Sequence, residues 1–66
     1  MPTFSKLKFL QWLKKKVPNR RTRCARALLE AGLNIDTVYP LINGKISENP
    51  RPDTLEKILW AMDYLQ

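Results

Sequence analysis

Turn-forming residues interrupt this chain so often that no stretch between them has room for more than one short element. Pro18-Asn19, Gly32-Leu33-Asn34, Gly44 and Asn49-Pro50-Arg51-Pro52 divide it into four segments. None of them alternates β-branched with polar residues as a half-buried strand would, and their apolar residues recur at helical spacing. The expectation is an all-α fold, a compact bundle of four to five short helices, in a single domain spanning residues 1–66. A chain of 66 residues buries only about 60% of its unfolded surface and cannot enclose a deep cofactor cavity, so binding on an outer face is expected.

In the first segment Phe9, Leu10, Leu13 and Val17 share one helical face, with Lys8, Gln11, Lys14 and Lys15 opposite and Ser5 at the N-cap. In the second, Cys24, Ala27, Leu28 and Ala31 form the apolar stripe, while Arg23, Arg26 and Glu30 gather elsewhere. Gly32 suits a left-handed position just past the helix end, where a Cβ would be costly. Asn34 caps a third helix that buries Ile35, Val38, Leu41 and Ile42 and turns Asp36, Thr37, Tyr39, Pro40 and Asn43 outward. The fourth helix, over residues 52–64, begins with Pro52, carries Asp53 and Glu56 near the positive end of its dipole, and buries Leu55, Ile58, Leu59 and Met62.

The inventory of reactive groups is nearly empty. No His and one Cys leave no imidazole base, no internal disulfide and no zinc ligand set, so a non-enzymatic protein without cofactor, metal or small-molecule substrate is expected. Cys24, on the apolar stripe, reads as a small buried hydrophobe. The net charge is +6, unevenly divided: residues 1–33 hold nine Lys or Arg and one Glu, residues 34–66 three and five Asp or Glu. That asymmetry points to a polyanionic partner for the first half. No apolar run has the length of a signal peptide core or a membrane span, so a cytoplasmic location is expected.

The run Ala31-Gly32-Leu33-Asn34-Ile35-Asp36-Thr37-Val38, then Leu41, Asn43-Gly44-Lys45 and Pro52-Asp53-Thr54-Leu55-Glu56-Lys57-Ile58, resembles the helix-turn-helix of the lambda-repressor-like family of phage repressors, Cro proteins and antitoxins. The resemblance covers residues 21–62. It implies a transcriptional regulator of phage or mobile-element type, bound to double-stranded DNA as a homodimer in a bacterial or phage-infected cell, close to the nucleoid. The recognition helix would be residues 35–43. Base contacts fall on Asn34, Ile35, Asp36, Tyr39 and Asn43; phosphate contacts fall on Arg20, Arg21, Arg23, Arg26, Thr37 and Lys45. Asp36 also has a purely structural reading, since a carboxylate in a first helical turn is favoured by the dipole.

Three departures from the family pattern accompany the resemblance. Leu28 stands where Ala is favoured, which implies a looser helix crossing or one shifted by a residue. Pro40 stands inside the recognition helix, where it removes a hydrogen bond and clashes with the preceding turn, so a short, late-starting or kinked helix is expected. No Arg or Gln is among the base-reading positions.

Trp60 and Tyr64 lie one turn apart on the fourth helix, and either pack beneath the first helix against Trp12 or Phe9, or form a symmetric dimer contact. Two other functions compete with DNA binding. One is an antitoxin-like or anti-repressor-like protein-interaction module on the same scaffold. The other is a membrane-surface helix over residues 4–17, disfavoured because its apolar residues are needed for the core.

Overall fold

The computed structural model describes residues 4–47 and 49–65. These form four helices, α1 (Lys6–Leu13), α2 (Arg20–Glu30), α3 (Ile35–Ile42) and α4 (Pro52–Tyr64), with no strand among the described residues. The fold is all-α. α2 packs against each of the other three helices, and the core gathers around it from Phe9, Trp12, Leu13, Cys24, Ala27, Leu28, Leu33, Val38, Leu41, Ile46, Ile58 and Ala61.

Local chemistry sets the helix ends. Ser5 caps α1 by accepting a hydrogen bond from the Lys8 amide at 3.3 Å. α1 stops at Leu13, earlier than its apolar pattern suggests, so Val17 lies beyond the helix and is only half buried. The strongest anchor of α1 is instead Trp12. Its indole Nε1 donates to the Leu65 carbonyl at 2.5 Å, its ring packs on Phe9 with centroids 5.6 Å apart, and its own carbonyl accepts from Arg20 Nε at 2.9 Å. One side chain thus ties α1 to the start of α2 and to the end of α4.

Two glycine turns hold α3 at both ends. After α2, the Leu33 amide donates to the Leu28 carbonyl and the Gly32 amide to the Leu29 carbonyl, the paired closure that needs a left-handed residue, and Gly32 has φ 108°. Leu33 and Leu28 are both buried, supplying the apolar contact that accompanies this closure. The same pattern recurs after α3: Lys45 donates to Pro40, Gly44 donates to Leu41, and Gly44 has φ 81°. Asn34 caps the start of α3 by accepting from the Thr37 amide at 2.9 Å.

α3 is short, at eight residues, runs through Pro40 to the Gly44 turn, and starts at Ile35 where the pattern puts it. The carbonyl that Pro40 cannot bond belongs to Asp36, which is exposed and open to water. Leu28 is fully buried together with Ala27, so the bulkier residue is accommodated as core. Ile35 is the one member of the expected apolar stripe of α3 that faces out, 56% exposed.

Removing the Trp12 side chain should cost about 3–5 kcal/mol, comparable to the whole stability of a domain this small. Trp12→Ala is therefore expected to show no cooperative urea transition by circular dichroism. Trp12→Phe, which keeps the ring contact and loses one hydrogen bond, should unfold cooperatively with stability lower by about 1 kcal/mol.

Candidate nucleic-acid interface

The outer face of α3 is the most conspicuous unpaired surface around the glycine turns. Ile35 is 56% exposed and Tyr39 64% exposed, with Asp36 and Asn43 exposed beside them and Pro40 and Thr37 half buried. Opposite, Val38 and Leu41 are buried against the core, so packing fixes which face looks outward. Lys45 follows the helix at its closing turn and is exposed.

The expected base-reading residues differ in how free their side chains are. Asn34 Oδ1 is engaged in the helix cap, which leaves its amide nitrogen as the group open to a partner. Asn43 is held twice: its Oδ1 accepts from Arg21 Nη2, and its Nδ2 donates to the Tyr39 carbonyl at 3.0 Å. Through Asn43, the first turn of α2 is latched to the last turn of α3. The sequence holds no local signal for that latch, since its partners are 22 residues apart.

The four arginines of α2, expected to act together, are separated by the helix. Arg20 is a correction to the phosphate-contact set: it is 6% exposed, its Nε is spent on the Trp12 carbonyl, and its guanidinium carbon sits 5.3 Å from the Trp12 ring centroid. It is a core residue and cannot reach a phosphate without unpacking Trp12. Arg21, Arg23 and Arg26 are exposed. At about 100° per residue, Arg21 points roughly 200° away from Arg23, while Arg23 and Arg26 lie about 60° apart on a common side. Arg21 reaches Asn43 at the end of α3. It also borders a groove of about 310 Å³ with Leu10, Leu13, Lys14, Ile42, Asn43 and Gly44, which brings Lys14, just past the end of α1, beside Arg21.

Thr37 contributes its amide to the Asn34 cap and lines a second groove, of about 360 Å³, with Lys45, Ser47, Arg51 and Thr54 among its walls. On α4, Trp60 and Tyr64 do not pack beneath α1. They stack on each other, rings 4.9 Å apart and 12° from parallel, and are 47% and 62% exposed.

Arg20 borders Cys24, which is fully buried. Burial pushes the Cys24 thiol above its ordinary 9.0, and the neighbouring guanidinium offsets this only in part. No group of three or more His, Cys, Asp or Glu able to hold a metal ion occurs among the described residues, and no helix among them is long and apolar enough to cross a membrane. Comparison of the chain with protein-family models, with characterised proteins and with solved structures returns no match.

Two expectations follow for the buried pair. Arg20 Nη2 is buried without a hydrogen-bond partner, a cost of about 1–3 kcal/mol that Arg20→Met removes while losing one charge-assisted bond of similar size. Arg20→Met also gives up the contact with the Trp12 ring, so thermal melts should place it about 1–2 kcal/mol below wild type, and Arg20→Ala, which leaves a cavity as well, about 2–4 kcal/mol below it. For Cys24, the folded thiol keeps its proton to a higher pH than the unfolded one. Stability from this group is thus complete below pH 9.0 and lost as pH rises from there through the raised folded value. Urea titrations at increasing alkaline pH should show wild type losing stability faster than Cys24→Ala; parallel loss would show that the thiol titrates alike in both states.

Proposed function

We propose that this chain is a sequence-specific double-stranded-DNA-binding transcriptional regulator, a repressor of phage or mobile-element type, whose α3 enters the major groove. The observation that carries the reading is the exposed outer face of α3, bounded on one side by Arg21, latched to Asn43, and on the other by Lys45. A domain with so little core would gain by burying Ile35 and Tyr39 internally, so leaving both in water favours a partner at this face. The basic flank, with Lys14 near Arg21, favours a polyanion as that partner.

On this reading Arg21 and Lys45 position the domain on phosphates, while Ile35 and Tyr39 meet thymine methyl groups and Asp36 accepts from cytosine. Asn34 offers its free amide nitrogen. Asn43 reads a base only by releasing Arg21, so its first role is to orient that guanidinium. Arg23 and Arg26, on the far side of α2, serve the long-range field or the neighbouring backbone of a bent duplex. A homodimer would present two such helices to half-sites about one helical turn apart.

Repeated selection from random duplexes tests the proposal, and recovery of a common motif is the expected outcome. On the recovered site, Arg21→Ala should weaken binding to all duplexes alike and lower the salt slope by about one unit. Tyr39→Ala should cost about 1–3 kcal/mol more on the preferred site than on random DNA. Arg20→Met should leave the slope unchanged. The apolar character of the α3 face also suits the second reading, a protein-interaction module. Absence of any duplex binding, with Tyr39→Asp abolishing capture of a protein partner, would select it.

A further inference from the structure

The outward side of α4 is unlike the rest of this basic protein. Asp53, Glu56, Lys57, Trp60 and Tyr64 fall on one stripe of the helix by their spacing, and Asp53, Glu56, Trp60 and Tyr64 are exposed. Together with Ala31 from the end of α2, Asp53, Glu56, Lys57 and Trp60 line an open cavity of about 260 Å³. One face of the Trp60 ring is covered by Tyr64, and the indole also borders the cavity. The Lys57 stem runs past Gly32, where an added Cβ would lie 3.5 Å from its Cε, so Lys57 is held towards α2.

We propose that this α4 face is a docking surface for an arginine-bearing basic segment of another protein. The cavity offers what a guanidinium takes and an ammonium uses less well: a flat indole to stack on and two carboxylates to receive its forked donors, against the single cation Lys57, whose end lies by Gly32. A nucleic acid is excluded by the carboxylates beside the ring. A second copy docked symmetrically through the same stripe would bring no guanidinium to the cavity, since the exposed Arg21, Arg23 and Arg26 lie on α2 and Arg51 lines the groove of Thr37. The symmetric dimer expected at Trp60 and Tyr64 would therefore leave Asp53 and Glu56 without an arginine partner. A head-to-tail contact between copies would bring together chains of net charge +6 and would build rings or filaments. The complementarity is local: a polycation is repelled by the molecule as a whole and attracted only at this stripe. The proposal is independent of DNA binding.

The experiment uses hexa-arginine, hexalysine and hexaglutamate peptides against the full chain, read by backbone amide NMR shifts and peptide anisotropy. Hexa-arginine should move amides of residues 53–64 and bind more tightly than hexalysine, and hexaglutamate should leave those amides unmoved. The double variant Asp53→Asn, Glu56→Gln, and separately Trp60→Leu, should each weaken hexa-arginine by about tenfold or more, the loss of one charge-assisted contact or more. Thermal melts check folding, and the carboxamide variant, isosteric with wild type, carries the test if Trp60→Leu is unstable. Shifts scattered over the surface, or equal binding of both polycations unaffected by the carboxamide variant, would overturn the proposal. So would sedimentation equilibrium showing self-association that Trp60→Leu abolishes, since the occupant would then be a second copy.

Discussion

Trp12 closes this fold. A helix of eight residues has too few internal hydrogen bonds to persist alone, so α1 exists because Trp12 fastens it at both sides. The indole N–H reaches the Leu65 carbonyl at the end of α4, and the backbone carbonyl of the same residue receives the Arg20 side chain at the start of α2. The ring meanwhile packs on Phe9 and has the Arg20 guanidinium near it. α1, α2 and the end of α4 meet on one residue. Arg20 is drawn into the core by this arrangement, and Cys24 is sealed beside it.

From that closure follows the presentation of α3. It too has eight residues, with a proline that removes one of its few hydrogen bonds. What fixes it is external: the Asn34 cap, two glycine turns that close α2 and α3 with the same hydrogen-bond pairs, and the seating of Val38 and Leu41 on the core. The Arg21 to Asn43 latch adds a polar tie on the solvent side. A rigid short helix with an apolar outer face results, suited to being pressed against a partner as a unit.

Charge is then sorted by burial and helix angle, not by position along the chain. Of the arginines crowded at the start of α2, one is internal, one is tied to α3, and two face another direction. Asp53, in the first turn of α4 where the helix dipole favours a carboxylate, also lines a cavity with Glu56 and the exposed Trp60. A single domain of this size thus carries exposed arginines on α2 and exposed carboxylates on α4.

Element number, caps and breaks were legible in the sequence because they depend on near neighbours. Ser5 and Asn34 sit one turn before the amides they cap, Gly32 and Gly44 meet left-handed turns, and Pro52 opens α4 at the residue where its pattern starts. The interior stripe of α2 was equally plain, because Cys24, Ala27 and Leu28 follow the helical repeat. What the repeat could not distinguish is how far a helix runs when the core no longer needs it, so Val17 fell outside α1. Nor could it tell that Ile35 faces water while Ile46, in a loop, is buried. The roles of Arg20 and Arg21 were decided only in three dimensions. Adjacent and chemically identical, they are turned about 100° apart by the helix, so that one meets Trp12 and the other Asn43. Local sequence determines where a helix begins and which side is apolar; the fate of each charge depends on which distant residue packing brings within hydrogen-bond reach.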